Sequence, residues 1–423
     1  MDGVKYPTAV KTLVKGISFT GLIGVVFVGG WMIGLKTQPH ALLDHHNPFA
    51  APALTKNELR DKIAKLKNQN IYSFKQNEVQ LDGFSEPVIL DYAFDPSMQS
   101  MAEDLLAQYK PDLGAMVAMD ASTGRVLAMA GVNRAFEVQG HPALENSFPS
   151  ASVFKVVTAA AAIEEQKANP YTMIPYSGKD HTLYKSQMKE RLGAWRRISS
   201  LKTAFAKSIN TVFGRIGVYS VGKDPLKNFS QRFGFDEQIS AEFPIVPSHS
   251  ANPSDEFELA EMASGYTQHN VMTAMHGAMI AASVANDGVM MQPYFLNGAY
   301  LKSGKTIYRS EPAMMAKVML PETASEVRTL MKETVATGTS RKTFHGFFRG
   351  KFSELEVGGK TGHLTDQKLG GRIDWFVGFA QSRGRKIAVS VLTMHKKYWT
   401  VKSSYLARKA FETAFTQKKV VAR

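Results

Sequence analysis

The chain has 423 residues, 44% of them hydrophobic and 21% charged, a balance that fits folded globular structure and excludes wholesale disorder, a collagen-like repeat and a multi-span membrane protein. The 51 Lys+Arg against 37 Asp+Glu give a net charge of +14, and there is no Cys. A disulfide framework, a thiolate zinc site, an iron–sulfur cluster and a Cys nucleophile are thereby excluded.

Residues 16–35 (GISFTGLIGVVFVGGWMIGL) carry no charge over 20 positions, enough for a helix to cross a bilayer core. Lys5, Lys11 and Lys15 precede this run, which places residues 1–15 in the cytoplasm and residues beyond about 40 outside it. A cleaved signal peptide is the rival, but its apolar region is usually shorter, and no small-x-small site directly follows Leu35. Residues 37–54 contain three Pro and read as a linker. His45 and His46 are adjacent there, so their side chains diverge and make a poor metal site. Thr55 and Glu58 form a capping-box pattern ahead of Leu59, Ile63 and Leu66, which predicts a short amphipathic spacer helix.

Dense patterning begins near residue 90. Asp95-Pro96 opens a helical stretch through Gln108. Residues 114–120 (GAMVAMD) and 125–130 (RVLAMA) are strand-like around a turn at 121–124, which predicts a hairpin. An Ala-rich helix is expected over 152–165, and residues 200–300 read as mostly helical. Three further strands are expected at 356–361, 373–380 and 386–394, and a last helix at 401–416. Two strands early and three late, separated by a helical block, imply an α+β fold. Its core is a five-stranded antiparallel sheet flanked by helices, with a helical subdomain.

Lys and Arg are spread along the chain without a nucleic-acid motif. An anionic lipid surface or anionic polymer suits the basic excess better, and no nucleic-acid partner is expected. G-x-S-x-G, G-x-G-x-x-G, the P-loop and H-E-x-x-H are all missing. One pattern remains. Ser152-Val153-Phe154-Lys155 is S-x-x-K at a helix start, where positions i and i+3 share a face and bring an amine to a hydroxyl. A desolvated Lys near other cations loses its proton and serves as a base. Free N–H groups at a helix start suit an oxyanion.

Each motif alone is weak. S-x-x-K also occurs at Ser186, Ser199 and Ser220, S-x-N at Ser208-Ile209-Asn210 and Ser250-Ala251-Asn252, and K-[ST]-G at Lys302-Ser303-Gly304 and Lys360-Thr361-Gly362. Context selects Ser152, which opens an apolar helix; Ser208, after an Ala-rich run; and Lys360, ending a strand-like segment after Gly358-Gly359. Lys302-Ser303-Gly304 reads as a hairpin turn.

The ordered trio resembles the penicillin-binding proteins, serine acyltransferases that include the D,D-transpeptidases. Residues 114–131 look like the family's opening hairpin, 147–164 like its active-site helix, and 264–288 like the helical segment before the third motif. GGKTG (358–362) and DWFVGFA (374–380) look like its central strands, so the likeness covers roughly residues 90–415. The resemblance implies that Ser152 is the acylated nucleophile and Lys155 its base. It further implies that Ser208 relays a proton, Asn210 holds the substrate amide, and Lys360 and Thr361 meet the substrate carboxylate beside Gly362. The backbone N–H groups of Ser152 and His363 would form the oxyanion hole. No metal or cofactor is implied. His363 departs from the family's usual K-T-G-T run: the N–H donor survives, and a hydroxyl near the carboxylate is lost.

The division implied is a cytoplasmic tail 1–15, an anchor 16–35, a linker and spacer 36–89, a penicillin-binding transpeptidase domain 90–417 and a basic tail 418–423. About 55 residues between Leu35 and that domain leave no room for a glycosyltransferase domain, which points to a compact monofunctional enzyme of the bacterial inner membrane. Peptidoglycan stem peptides, β-lactams and a membrane-embedded glycosyltransferase are its expected partners. A D,D-carboxypeptidase shares the acylation chemistry and stays open. A β-lactamase lacks its E-x-x-L-N setting here, with only Glu256 and Glu258 nearby. A non-enzymatic sensor or scaffold fits poorly with an intact Ser152 and Lys155.

Overall fold

A computed structural model of the chain describes residues 53–416, apart from 67–70, 72, 73, 75, 138, 139, 146 and 195. The expected membrane span at 16–35, its leading tail, nearly all of the linker and the basic tail lie outside the described residues. Among the described residues, no helix is long and apolar enough to cross a membrane.

The elements run α1 (Lys56–Ala64), β1 (Glu78–Val79), β2 (Val88–Tyr92), α2 (Pro96–Tyr109), β3 (Leu113–Asp120), β4 (Val126–Asn133) and β5 (Phe148–Pro149). There follow a 3-10 turn (Ala151–Phe154), α3 (Lys155–Glu164), β6 (Met173–Tyr176), β7 (Arg197–Ser200), α4 (Leu201–Lys207) and α5 (Asn210–Ile216). Then come α6 (Lys223–Arg232), α7 (Glu256–Ser264), β8 (Val271–Met272), α8 (Ala274–Ala285), β9 (Val289–Met291), β10 (Leu296–Leu301), β11 (Thr306–Arg309) and β12 (Met314–Lys317). The chain closes with α9 (Pro321–Ala336), α10 (Arg341–Phe344), β13 (Glu356–Thr365), β14 (Arg372–Ser382), β15 (Arg385–His395) and α11 (Ser403–Thr416).

Local chemistry accounts for the helix starts. Thr55 Oγ1 accepts from Glu58 N while the Glu58 carboxylate accepts from Thr55 N, a closed capping box on α1. Asp95 accepts from Ser97 N and Met98 N, and Pro96 sits in the first turn of α2, where its missing N–H costs nothing.

The central sheet has the order β13-β14-β15-β3-β4, every neighbour antiparallel, so the late strands join the early hairpin. Both its faces are covered. Ile373, Trp375, Val377 and Phe379 of β14 pack with residues of α3, α8 and α9, while Phe376 and Ala380 pack with residues of α2 and α11. Strands buried on both sides read as nearly unbroken apolar runs, as LGAMVAMD does. Helix α8 is buried on every side, and its small residues let it lie close on the sheet.

Other features differ from the expectation. A second sheet, β1-β2-β10-β11, joins residues 78–92 to 296–309, and the boundary set at 89/90 falls inside β2. Three small two-stranded sheets add to it. Residues 200–300 hold α4 to α8 but also β8, β9, most of β10 and an irregular stretch at 233–255. These strands are too short to show periodicity and exist through pairing with distant segments.

Trp375 joins the sheet to the site: it is fully buried, and its indole Nε1 donates to Pro149 O at 2.9 Å, three residues before Ser152. Trp375→Ala is expected to lower unfolding free energy by about 3–5 kcal/mol, measured by denaturant titration.

Candidate active site

Ser152 lies in the 3-10 turn that runs straight into α3, rather than in the first turn of an α-helix. In 3-10 geometry residues i and i+3 eclipse, which aligns Ser152 with Lys155. Ala151 is held at φ +47°, a left-handed conformation that disfavours a side chain. Three contacts hold the turn. Ser150 N donates to Asn270 O at 2.7 Å, Trp375 holds Pro149 O, and Gly265 presses against Ala151. Gly265 caps α7 at φ +69°, and a Cβ on it would stand 1.9 Å from Ala151 O.

The Lys155 amine is fully buried, and no carboxylate is among its hydrogen-bond partners. Nζ donates to Asn210 Oδ1 at 2.7 Å and to Ser264 O, and it lies 2.7 Å from Ser152 Oγ. Desolvation, and secondly the nearby Lys360, hold its pKa well below the usual lysine range. A neutral amine has two N–H bonds and one lone pair. Asn210 Oδ1 and Ser264 O only accept, so they take both N–H bonds, and the lone pair faces the one partner with a proton to give, Ser152 O–H.

Asn210 opens α5, and its own partners fix it: its backbone N donates to Asp180 O at 2.7 Å and Nδ2 to His181 O at 3.0 Å. Ser208 occupies the corner between α4 and α5 at φ +58°. From the edge strand β13, Lys360 Nζ donates to Ser208 Oγ at 2.9 Å. Lys360 is fully buried too, and desolvation pushes its pKa down to about 7. Thr361 Oγ1 and Thr339 Oγ1 are hydrogen-bonded at 2.6 Å. Gly362 brings β13 against Ser152, since a Cβ there would stand 3.3 Å from Ser152 N. His363 follows, with Nε2 2.8 Å from Asp374 Oδ1.

The chain thus brings together two hydrogen-bonded groups, Ser152–Lys155–Asn210 and Ser208–Lys360, near enough for Lys360 to act on the Lys155 amine, with Gly362 of β13 against Ser152 N. The competing motifs lie elsewhere. Ser250 bonds Lys227 and Asp236, and Lys302-Ser303-Gly304 forms the β10–β11 turn, where Ser303 bonds Glu86. Sequence reasoning missed the Ser264 carbonyl, Thr339, the 180–181 carbonyls behind Asn210, and Asp374. A backbone carbonyl leaves no trace in residue type, whereas Ser264-Gly265 at a helix end was a usable C-cap signal.

Residues 114–415 match the penicillin binding protein transpeptidase domain model, and the chain belongs to that family. Over 336 residues it is 28% identical to the peptidoglycan D,D-transpeptidase PbpA of Mycolicibacterium smegmatis, a match covering 72% of this chain and 66% of the relative. The chain therefore spans just under two thirds of that relative's length. The stage V sporulation protein D of Bacillus subtilis is 25% identical over 338 residues, 75% of this chain and 50% of that protein. Among solved structures, the D,D-transpeptidase domain of a peptidoglycan glycosyltransferase from Eggerthella lenta aligns with TM-score 0.64 at 25% identity, covering 77% of this chain and 82% of that one. Penicillin-binding protein A from M. tuberculosis, as its imipenem acyl-enzyme complex, shares the fold at TM-score 0.63 and 22% identity, over 78% of this chain and 80% of that one.

Two measurements test the site's construction. Above about pH 7 the native state holds Lys360 neutral, while the unfolded chain keeps it charged to about pH 10.4. Between these values the unfolded state binds the extra proton, so this residue makes stability rise with pH, by up to about 1.4 kcal/mol per unit. Below pH 7 both states are charged and the full burial cost remains. Lys360→Met is therefore expected to flatten stability against pH between about 7 and 10, read by denaturant titration. Gly265→Ala is expected to slow acylation of Ser152 by a fluorescent penicillin at least roughly tenfold, because the added Cβ displaces the Ala151 carbonyl.

Proposed function

We propose that this chain is a serine D,D-transpeptidase that cross-links peptidoglycan stem peptides through an acyl-enzyme. The observation that carries this is the fully buried Lys155 amine, 2.7 Å from Ser152 Oγ and with its pKa held well below the usual lysine range by desolvation. Lys155 removes the Ser152 proton as Oγ attacks the carbonyl of the penultimate D-residue. The N–H groups of Ser152 and His363 receive the oxyanion, consistent with the close approach of Gly362 to Ser152 N. Asn210 orients the substrate amide. Ser208, bonded to Lys360 Nζ, passes a proton to the departing amine, and Lys360 with Thr361 holds the terminal carboxylate. An acceptor amine then attacks the acyl-enzyme. The same nucleophile accepts β-lactams, as the imipenem acyl-enzyme of the M. tuberculosis relative indicates for that protein.

The uncharged run at 16–35 supports a single-pass anchor in the bacterial inner membrane, with the domain from about residue 90 outside the cytoplasm and a membrane-embedded glycosyltransferase as partner. Holding the acyl site beside nascent wall favours an amine acceptor over water.

Incubation with a fluorescent penicillin is expected to give one covalent adduct, seen by intact mass and lost in Ser152→Ala. An adduct that persists in that variant, or none with any β-lactam, overturns the assignment. A D-amino acid acceptor is expected to compete with water for the acyl group of a stem-peptide thioester; exclusive hydrolysis would establish a D,D-carboxypeptidase instead.

A further inference from the structure

Half of the chain's excess charge sits in one segment. Residues 167–207 carry nine Lys+Arg against two Asp+Glu, a net +7 of the whole chain's +14. The hairpin β6–β7 lies in this segment and forms a two-stranded sheet of its own. Pro175 pairs opposite Ile198 and Met173 opposite Ser200, so these four share one face, while Ile174, Tyr176 and Ser199 turn inward on the other. The outer face is apolar and open to solvent. Met173 is 60% exposed and Ile198 56%, and Tyr171, two residues before Met173, is 69% exposed. None of these three belongs to a hydrophobic core. Cations stand at both ends of the strip. Lys202 Nζ lies 5.5 Å from the centre of the Tyr171 ring. At the other end Arg197 Nη1 donates to Gly178 O at 3.1 Å, and Lys179 and Arg196 flank that bond, one residue along each chain. Among the described residues, Lys179 and Arg196 are exposed and form no ion pair.

The geometry points to the outer face of β6–β7 as a second membrane contact, which lays the catalytic domain on an anionic bilayer surface. This rests on the anchored arrangement proposed above. Residues 36–52 reach about 60 Å at most when extended, so an anchor at 16–35 keeps the domain within range of the bilayer. The chemistry of the strip selects the occupant. Lys and Arg around it attract the phosphates of anionic headgroups. Met173 and Ile198 gain from leaving water only where hydrocarbon receives them, and a bilayer offers hydrocarbon just beneath its headgroups. Tyr171 has the apolar body and polar tip that suit the boundary between the two. A polyanionic polymer would neutralise the cations and leave Met173 and Ile198 in water. The same segment is tied to the active site, because Asp180 O and His181 O, next to Lys179, accept from Asn210 N and Nδ2. Docking on this face therefore holds the Asn210 side of the site at a set height over the membrane, instead of leaving the domain free on its tether.

The chain has no Cys, so a single introduced Cys takes a polarity-sensitive dye at one place. Full chains labelled through Ile198→Cys are reconstituted into vesicles of phosphatidylcholine, alone or mixed with phosphatidylglycerol. The control is Tyr398→Cys, at a side chain 70% exposed on the loop after β15. The dye at position 198 is expected to shift to the blue in the phosphatidylglycerol vesicles, and the dye at 398 to stay unshifted. The shift is expected to reverse in about 1 M salt, where the Debye length is about 3 Å. It is also expected to be lost when Lys179→Glu and Arg196→Glu are combined, in chains that still float with the vesicles and still acylate at Ser152. No shift at 198, an equal shift in phosphatidylcholine alone, or a shift at 398 instead overturns the contact. A shift in detergent that grows with protein concentration identifies a second copy as the occupant, and one produced by polyglutamate but not by vesicles identifies an anionic polymer. Either result overturns the bilayer contact. Flotation separates this from the anchor: chains that float with neither vesicle defeat both, whereas chains that float with both and show no shift at 198 defeat only the hairpin contact.

Discussion

A lysine amine buried without a carboxylate is the constraint on which the site depends. Lys155 and Lys360 are both fully buried, and each is surrounded by hydroxyls, amide oxygens and aromatic rings. Charged, the two amines would repel each other where water screens poorly; neutral, each still has N–H bonds to give. The surroundings therefore disfavour the charged form and hold both pKa values below the usual lysine range. A carboxylate beside Lys155 would have favoured its charged form.

Keeping such groups buried needs a rigid frame, and the central sheet provides it. Trp375 ties β14 to the backbone just before Ser152, and α7 supplies the Ser264 carbonyl from the other side. Two residues that are not glycine, Ala151 and Ser208, stand at positive φ within this frame. Strain of this kind persists when the surroundings over-determine it, and here Ala151 precedes Ser152 while Ser208 accepts from Lys360 Nζ. The large two-faced core supports that local cost.

The edge strand β13 separates two kinds of chemistry. Lys360 reaches Ser208 on the side of the helical subdomain, while His363 reaches Asp374 on the side that α11 caps. Alternation along one strand is enough to place them so. Position 363 holds a ring whose partner comes from the next strand.

Local signals were legible wherever a short window holds all the partners. The Thr55–Glu58 box, the Asp95-Pro96 start, the hairpin at 114–130, the three late strands and the Ser152–Lys155 spacing each depend on residues close in the chain, and all appear in the structure. Two early and three late strands around a helical block extended this to the central antiparallel sheet. The tertiary structure alone decided the side sheet joining residues 78–92 to 296–309, the Ser264 carbonyl that completes the Lys155 cradle, and the Asp374–His363 pair. In each case the partner is either a backbone atom, the same for every residue type, or a side chain supplied by another strand. Local pattern carries no record of such contacts, because they arise only when the sheet and the helices packed on it bring separate segments together.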